Sequence, residues 1–293
     1  MARKVDLSGT TLPRRQLGRA LRDARQGANL TLDQVGRDPE AEMSRSTLSR
    51  IELGQYDKVR VRDVAYLCQY YGLPEARTAY LCSIAKEANT KVWWQDDRHL
   101  MSSGFITYLE LESFASEFRF YQSLLVPGLL QTVDYATTLE RSYTPDDTQE
   151  EIEARVAIRR RRADLLTRRH RSVAVEFLLH ESIFHTLVGT PKVMADQCLR
   201  IADMSTLGNV TVGVVPCSAG HPTGGALPPY IIMDFPDSEP TVVYTEGAIG
   251  SMIFEDGNDV KRFTDIHETL QRAALKEQPS RDLLRKIAGR YQR

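Results

Sequence analysis

Long apolar runs are missing from this 293-residue chain. No stretch of 18 apolar residues occurs, so a membrane-spanning helix is not expected. The opening MARKVDLSGT lacks the apolar core of a signal peptide. Cysteine is scarce: Cys68, Cys82, Cys198 and Cys217 are widely spaced, with no C-x-x-C pair to suggest zinc. The usual catalytic signatures are absent too. His180-Glu181 is followed by His185 at the wrong interval for H-E-x-x-H, and the loop SAGHPTGGALPP around His221 lacks a P-loop lysine. No G-x-S-x-G elbow occurs. A histidine at a strand end, like His180, is more often a structural hydrogen bonder. The His221 loop keeps a role at the border of a small-molecule pocket open, because loops on a rigid sheet commonly carry binding. These absences predict a cytoplasmic protein with no catalytic residues, no metal, no cofactor and no membrane association.

What is present suggests two domains, since the chain exceeds the usual single-domain length. The net charge of −1 is uninformative as a whole, but its distribution is not. Residues 1–90 hold 15 Lys or Arg against 11 Asp or Glu, whereas the rest hold 23 against 28. The excess positive charge sits in a helical N-terminal part. A first helix from about Arg14 to Gln26 carries Leu17, Ala20, Leu21 and Ala24 near one stripe. A second opens at Thr31, with Gln34 placed to complete a capping box, and stops before Asp38-Pro39. A third covers SRSTLSRIE, Ser44 to Glu52. At about 100° per residue, Leu48 and Ile51 share one face while Arg45, Ser46, Ser49 and Arg50 share the opposite one. A fourth turns Val61, Val64, Leu67, Cys68 and Tyr71 inward and closes at Gly72 and Pro74. Another helix from Pro74 to about Thr90 serves as connector.

The face of Arg45, Ser46, Ser49 and Arg50 has the chemistry of a major-groove reader, since Arg is bidentate to guanine and Ser bonds several base edges or phosphates. A solvated outer face is the competing reading for that helix alone. The set LGRALRDAR, LTLDQVG, SRSTLSRIELG and VRDVAYLCQYYGL resembles the Xre-type helix-turn-helix family of phage and bacterial repressors. The resemblance implies that Arg45, Ser46, Ser49 and Arg50 lie at base-reading or groove-edge positions, and that Thr31 and Leu32 lie beside a phosphate. It also implies an Arg25–Glu52 pair tying the first helix to the third. The chain departs from the family at RDPEAEM, about two residues longer than the usual turn and carrying Asp38, Glu40 and Glu42. Those acids are expected to point away from DNA.

Beyond Trp93-Trp94, at least one of which is expected to anchor the joint between domains, with an aromatic binding platform as the other reading, the pattern becomes mixed α and β. Helices are expected near 108–120, around Leu129 to Leu139, over 146–169, 192–207, after Asn258 and after Pro279. Strands are expected at 173–180, 210–216, 228–235 and 241–246. The expected architecture is an all-α helix-turn-helix domain (1–90) followed by an α+β domain (91–293).

LLVPGLLQTVDYA, RVAIRRRRADLL, FLLHESIFHTLVG, VTVGVVPCSAGH, YIIMDFPDSEPTVVYTE and LQRAALKEQPSRDLLRKIA together resemble the C-terminal domain of actinobacterial Xre-type regulators of the WhiJ-like, antitoxin-like kind. That resemblance implies a regulator of development and antibiotic production, often encoded beside a small acidic partner. The arginine cluster (Arg155, Arg159, Arg160, Arg161, Arg162, Arg168, Arg169, Arg171) has three readings: a solvated face paired to Glu150, Glu151 and Glu153, a second DNA surface, or a dock for an acidic protein through Arg155, Arg159 and Arg162. The combined expectation is a sequence-specific transcriptional regulator on an operator in double-stranded DNA, a homodimer joined through its C-terminal domain, which senses a ligand or small partner. The alternative is an antitoxin-like protein that sequesters a small acidic partner and autoregulates its operon.

Overall fold

The computed structural model describes residues 12–56, 58–89, 93–94, 96–167, 173–236, 239–247 and 250–293. The chain forms two compact units, one ending at Phe114 and the other running Ala115–Arg293. The division falls later than the 90/91 boundary expected from composition, because one more helix joins the first unit.

The first unit contains α1 (Leu12–Gly27), α2 (Leu32–Gly36), α3 (Arg45–Glu52), α4 (Val61–Tyr70), α5 (Glu75–Ala88) and α6 (Ser103–Phe114). Its core gathers Leu17 and Leu21 of α1, Val35 of α2, Leu48 and Ile51 of α3, Val64, Leu67 and Cys68 of α4, and Leu81, Ile84 and Ala85 of α5. Full burial of each leucine here contributes roughly 1.5–3 kcal/mol. Cys68 acts as one more small apolar group, and burial pushes its thiol up to about 11. The helix ends follow local chemistry. The Thr31 hydroxyl accepts from the Gln34 amide while Gln34 Oε1 accepts from the Thr31 amide, a reciprocal cap on α2. α4 ends where the Leu73 amide bonds the Cys68 carbonyl across Gly72, whose φ of +74° suits glycine. Trp94 is buried and meets the edge of Trp93.

In α6, Glu110 and Glu112 are buried. Glu112 accepts the Tyr108 hydroxyl at 2.6 Å. Burial pushes the Glu110 carboxyl up from its ordinary 4.5 to about 7, against the opposing pull of Arg98, Arg14 and Arg15. The folded value lies above the unfolded one, so as pH rises the unfolded chain releases this proton first. Stability therefore falls between about pH 4.5 and 7 and stays reduced above. Glu110→Gln is expected to stabilise this unit by up to about 3 kcal/mol near pH 8 and hardly at all near pH 4.5. Thermal unfolding at both pH values checks this; an equal gain at both would refute it.

The second unit is α+β. Its strands are β1 (Glu117–Gln122), β2 (Ala174–His180), β3 (Val210–Val215), β4 (Tyr230–Asp234), β5 (Val242–Gly247) and β6 (Gly250–Phe254). They form one mixed sheet in the order β3-β2-β1-β4-β5-β6. β1, β2 and β3 are parallel, with Phe120 opposite Phe177 and Leu178 opposite Gly213. β4, β5 and β6 continue antiparallel from β1, with Tyr121 opposite Tyr230. α7 (Val133–Tyr143) and α8 (Gln149–Ala163) connect β1 to β2, α9 (Pro191–Met204) connects β2 to β3, and α10 (Gly257–Ala273) and α11 (Glu277–Tyr291) follow the sheet. Tyr121, Leu178, Tyr230, Ile232 and Val243 line one sheet face and pack with Leu270, Phe263 and Ile266 of α10. Alternation places Phe118, Phe120 and Phe177 on the other face, where the last two rings stack at 4.8 Å.

Two elements differ from expectation. The segment expected to extend a helix to Phe120 is strand β1, since α6 stops at Phe114 and Ser116 already bonds the Asp234 carbonyl. β6 was not anticipated. The outer edge of β3 is closed by the chain that follows: the Leu275 amide donates to the Val214 carbonyl at 2.8 Å, and the Val214 amide donates to the buried Ser280 Oγ at 3.0 Å.

Candidate nucleic-acid interface

α3 is held from behind. Ser44 caps it through the Thr47 amide, and Leu48 and Ile51 are buried beneath it. Gly18 of α1 lies so close that a Cβ there would stand 2.4 Å from the Ile51 carbonyl oxygen and 2.8 Å from that of Glu52. Only glycine allows this crossing of α1 over α3. Gly36, at the end of α2, plays the same part against the other end of α3, where a Cβ would stand 2.8 Å from the Arg45 nitrogen. The angle between α2 and α3 is thus set by backbone contact.

Arg25 and Glu52 join α1 to α3. Arg25 Nε donates to Glu52 Oε1 at 2.6 Å, Nη2 donates to Oε2 at 2.7 Å, and Nη1 donates to the Leu30 carbonyl at 2.7 Å. The side chains are only 9% and 5% exposed. Hydrogen bonding to this carboxylate raises the Arg25 pKa despite burial.

The opposite face of α3 carries exposed Arg45, Ser46 and Arg50 with half-buried Ser49. The structure brings these four to one side of one helix. Arg45 Nε lies 3.4 Å from Asp33 Oδ1 on α2, Ser46 Oγ lies 2.8 Å from Ser44 Oγ, and Arg50 Nε donates to the Gln55 carbonyl at 3.1 Å. Thr31 is exposed at the start of α2, while Leu32 beside it packs partly into the core. Asp33, which holds Arg45, and the two helix-locking glycines were not singled out from sequence. A glycine inside the helical run LGRALRD was the available signal for close packing.

The extended loop after α2 is tied to α4. A 3₁₀ turn, Pro39–Ala41, is capped by Asp38, whose other oxygen accepts the Tyr66 hydroxyl at 2.9 Å. Glu42 takes up a left-handed φ of 47° and meets Arg62 at 2.5 Å and Arg60 at 3.8 Å. Ala41 and Met43 are buried. Of the three acids in this loop, Glu42 pairs with arginines at the start of α4, while Asp38 is tied to the turn and to Tyr66.

The arginine-rich helix requires a correction. Arg155, Arg159 and Arg162 do not form an open dock on α8. Arg155 Nε binds Asp147 at 3.0 Å. Arg159 Nε donates to Glu140 of α7 at 2.8 Å, its Nη2 binds the same oxygen, and its Nη1 reaches Gln131. Arg162 is buried, with its guanidinium against Gly128. Arg155 is thus held by Asp147, Arg159 by buried Glu140, and Arg162 is itself buried, so the three do not present a free cationic face. Arg160 and Arg161 are the exposed members of the run; Arg168, Arg169 and Arg171 lie outside the described residues.

The histidines at and just after the end of β2 are also tied internally. His180 Nδ1 caps the turn at Ser182, His185 Nε2 lies 3.2 Å from Glu181 Oε1, and Glu181 Oε2 accepts the Cys217 amide at 2.8 Å. That amide bond holds the Glu181 carboxyl below its usual range. His221 stands exposed in its loop.

No described helix is long and apolar enough to cross a membrane. Residues 16–81 match a helix-turn-helix domain, which covers α2, α3 and the helices that brace them. No curated protein and no solved structure matches the chain. Residues 105–286, more than half of the chain, match the Domain of unknown function (DUF5753). The chain therefore belongs to the DUF5753 family, with a DNA-binding helix-turn-helix domain ahead of the domain that defines it.

Proposed function

We propose that this protein is a sequence-specific transcriptional regulator of the Xre type, acting as a homodimer on an operator in double-stranded DNA. The carrying observation is α3 itself: its polar face, Arg45, Ser46, Ser49 and Arg50, lies opposite buried Leu48 and Ile51. In this reading the arginines and serines meet base edges, while Thr31 and the α2 backbone at Leu32 meet a phosphate. The DUF5753 domain receives the signal, a ligand or a small partner protein, and performs no catalysis. An acidic partner captured by Arg155, Arg159 and Arg162 is not part of this proposal, since the first two are paired with Asp147 and Glu140 and the third is buried.

Selection from a randomised double-stranded DNA pool, followed by footprinting of the enriched sequence, tests the reading. Failure to enrich any sequence would overturn it. Arg50→Ala is expected to cost roughly 1–3 kcal/mol on the enriched site and to relax preference at one base position. Equal loss on the enriched site and on random DNA would reassign Arg50 to a phosphate.

A further inference from the structure

The two edges of the sheet are treated differently. β3 is sealed by the Leu275 amide and Ser280 hydroxyl. At the opposite edge, β6 pairs with β5 on one side, and no backbone partner lies on its other side among the described residues. Exposed edge strands are usually blunted by charge or proline, or are covered, because their open backbone groups template further pairing. The β6 sequence GSMIF carries no charged residue and no proline. Met252, at its centre, is 60% exposed, among the largest apolar exposures on the molecule.

We propose that β6 is the homodimer interface, pairing antiparallel with β6 of a second copy so that the two sheets become continuous. A two-fold contact places the same patch on both sides and must be self-complementary. Centred on Met252, the pairing sets Met252 against Met252 of the partner subunit, Ser251 against Ile253 of the partner subunit, and Gly250 against Phe254 of the partner subunit. No like charges meet, the exposed methionines cover each other, and the open backbone groups are satisfied. The occupant is a second copy because this uncharged strand complements itself. A reading helix of eight residues also gains from a second one on an adjacent half-site. The interface stands independently of DNA binding.

The test uses the full chain at micromolar concentration. Light scattering is expected to give twice the chain mass. Met252→Lys, which sets two ammonium groups across the axis, is expected to raise the dimer dissociation constant at least about tenfold with an unchanged circular dichroism spectrum. Met252→Cys is expected to form a covalent dimer under mild oxidation much faster than wild type, because opposed residues in an antiparallel pair lie within disulfide reach. This second variant decides the matter should the lysine variant unfold. A monomeric wild type, a lysine variant that dimerises as tightly as wild type, or a cysteine variant no faster than wild type would each overturn the interface. A dimer that enriches no DNA sequence would sink the regulator reading and leave this one standing.

Discussion

Replacing Glu52 by alanine is expected to lower the stability of the helix-turn-helix unit by about 3–5 kcal/mol, because it leaves the Arg25 guanidinium buried without its counter-charge. That guanidinium donates three hydrogen bonds, two of them to Glu52. Removal of one partner strands the other; replacement of both by apolar residues of similar volume costs far less. Arg25→Met combined with Glu52→Leu is therefore expected to recover much of the loss. Thermal unfolding of the three proteins measures the difference, and amide hydrogen exchange along α1 and α3 localises it. A melting temperature unmoved by Glu52→Ala would show that the pair contributes nothing. Because the same pair fixes α3 on α1, Glu52→Ala should also weaken DNA binding without touching the reading face.

Arg159→Glu is expected to be nearly as damaging in the second unit, for a related reason. Glu140 is only 6% exposed at its side chain and Arg159 30% exposed. The reversal sets a second carboxylate against a buried one, at an expected cost of about 3 kcal/mol, discounted from the fully buried case for Arg159's partial exposure. Arg160→Glu, one residue along and exposed, should stay within about 0.5 kcal/mol of wild type. Denaturant unfolding separates the two outcomes. Equal, small effects would return Arg159 to the solvent face.

That contrast shows what was legible in the sequence. In the first unit, local signals agree with one another. The 3.6-residue stripe of α1 and α4, the Thr31–Gln34 cap and the Leu48–Ile51 pair each carry their information within a few residues. In the second unit, β2 to β5 were marked by dense Val, Ile, Tyr and Phe between turn residues. β1 was hidden because EFRFYQ follows an apolar helix directly, with only Ala115 and Ser116 between them. β6 was hidden because an edge strand of only five residues, none of them fully buried, leaves little alternating pattern.

The arginine helix hides its partners for a different reason. Spacing i, i+4, i+7 in one charge suggests a solvated face, yet on the helical wheel Arg155, Arg159 and Arg162 fall between Ile158 on one side and Ile152 and Val156 on the other. All three of those apolar residues are buried. The flanking apolar residues were the sign that the stripe faces inward. The acid that receives it, Glu140, lies 19 residues away on another helix, which no local window contains. Within the reader, Asp33 was missed because its link to Arg45 crosses from α2 to α3.

The position of β1 at the centre of the sheet has a consequence for how the chain is made. β1 pairs on one side with residues 174–179 and on the other with residues 230–234. During synthesis its first partner strand emerges 57 residues later, and its other side stays open until more than a hundred further residues have emerged. The strand that waits is rich in aromatics: Phe118, Phe120 and Tyr121 end up buried on both faces. Non-local pairing of this kind slows folding and leaves apolar surface open to capture by other nascent chains. The helical unit ahead of it closes on short-range contacts and can be complete first. Slow translation or chaperone occupancy over residues 117–234 would then govern the yield of the whole protein more than the stability of the finished sheet.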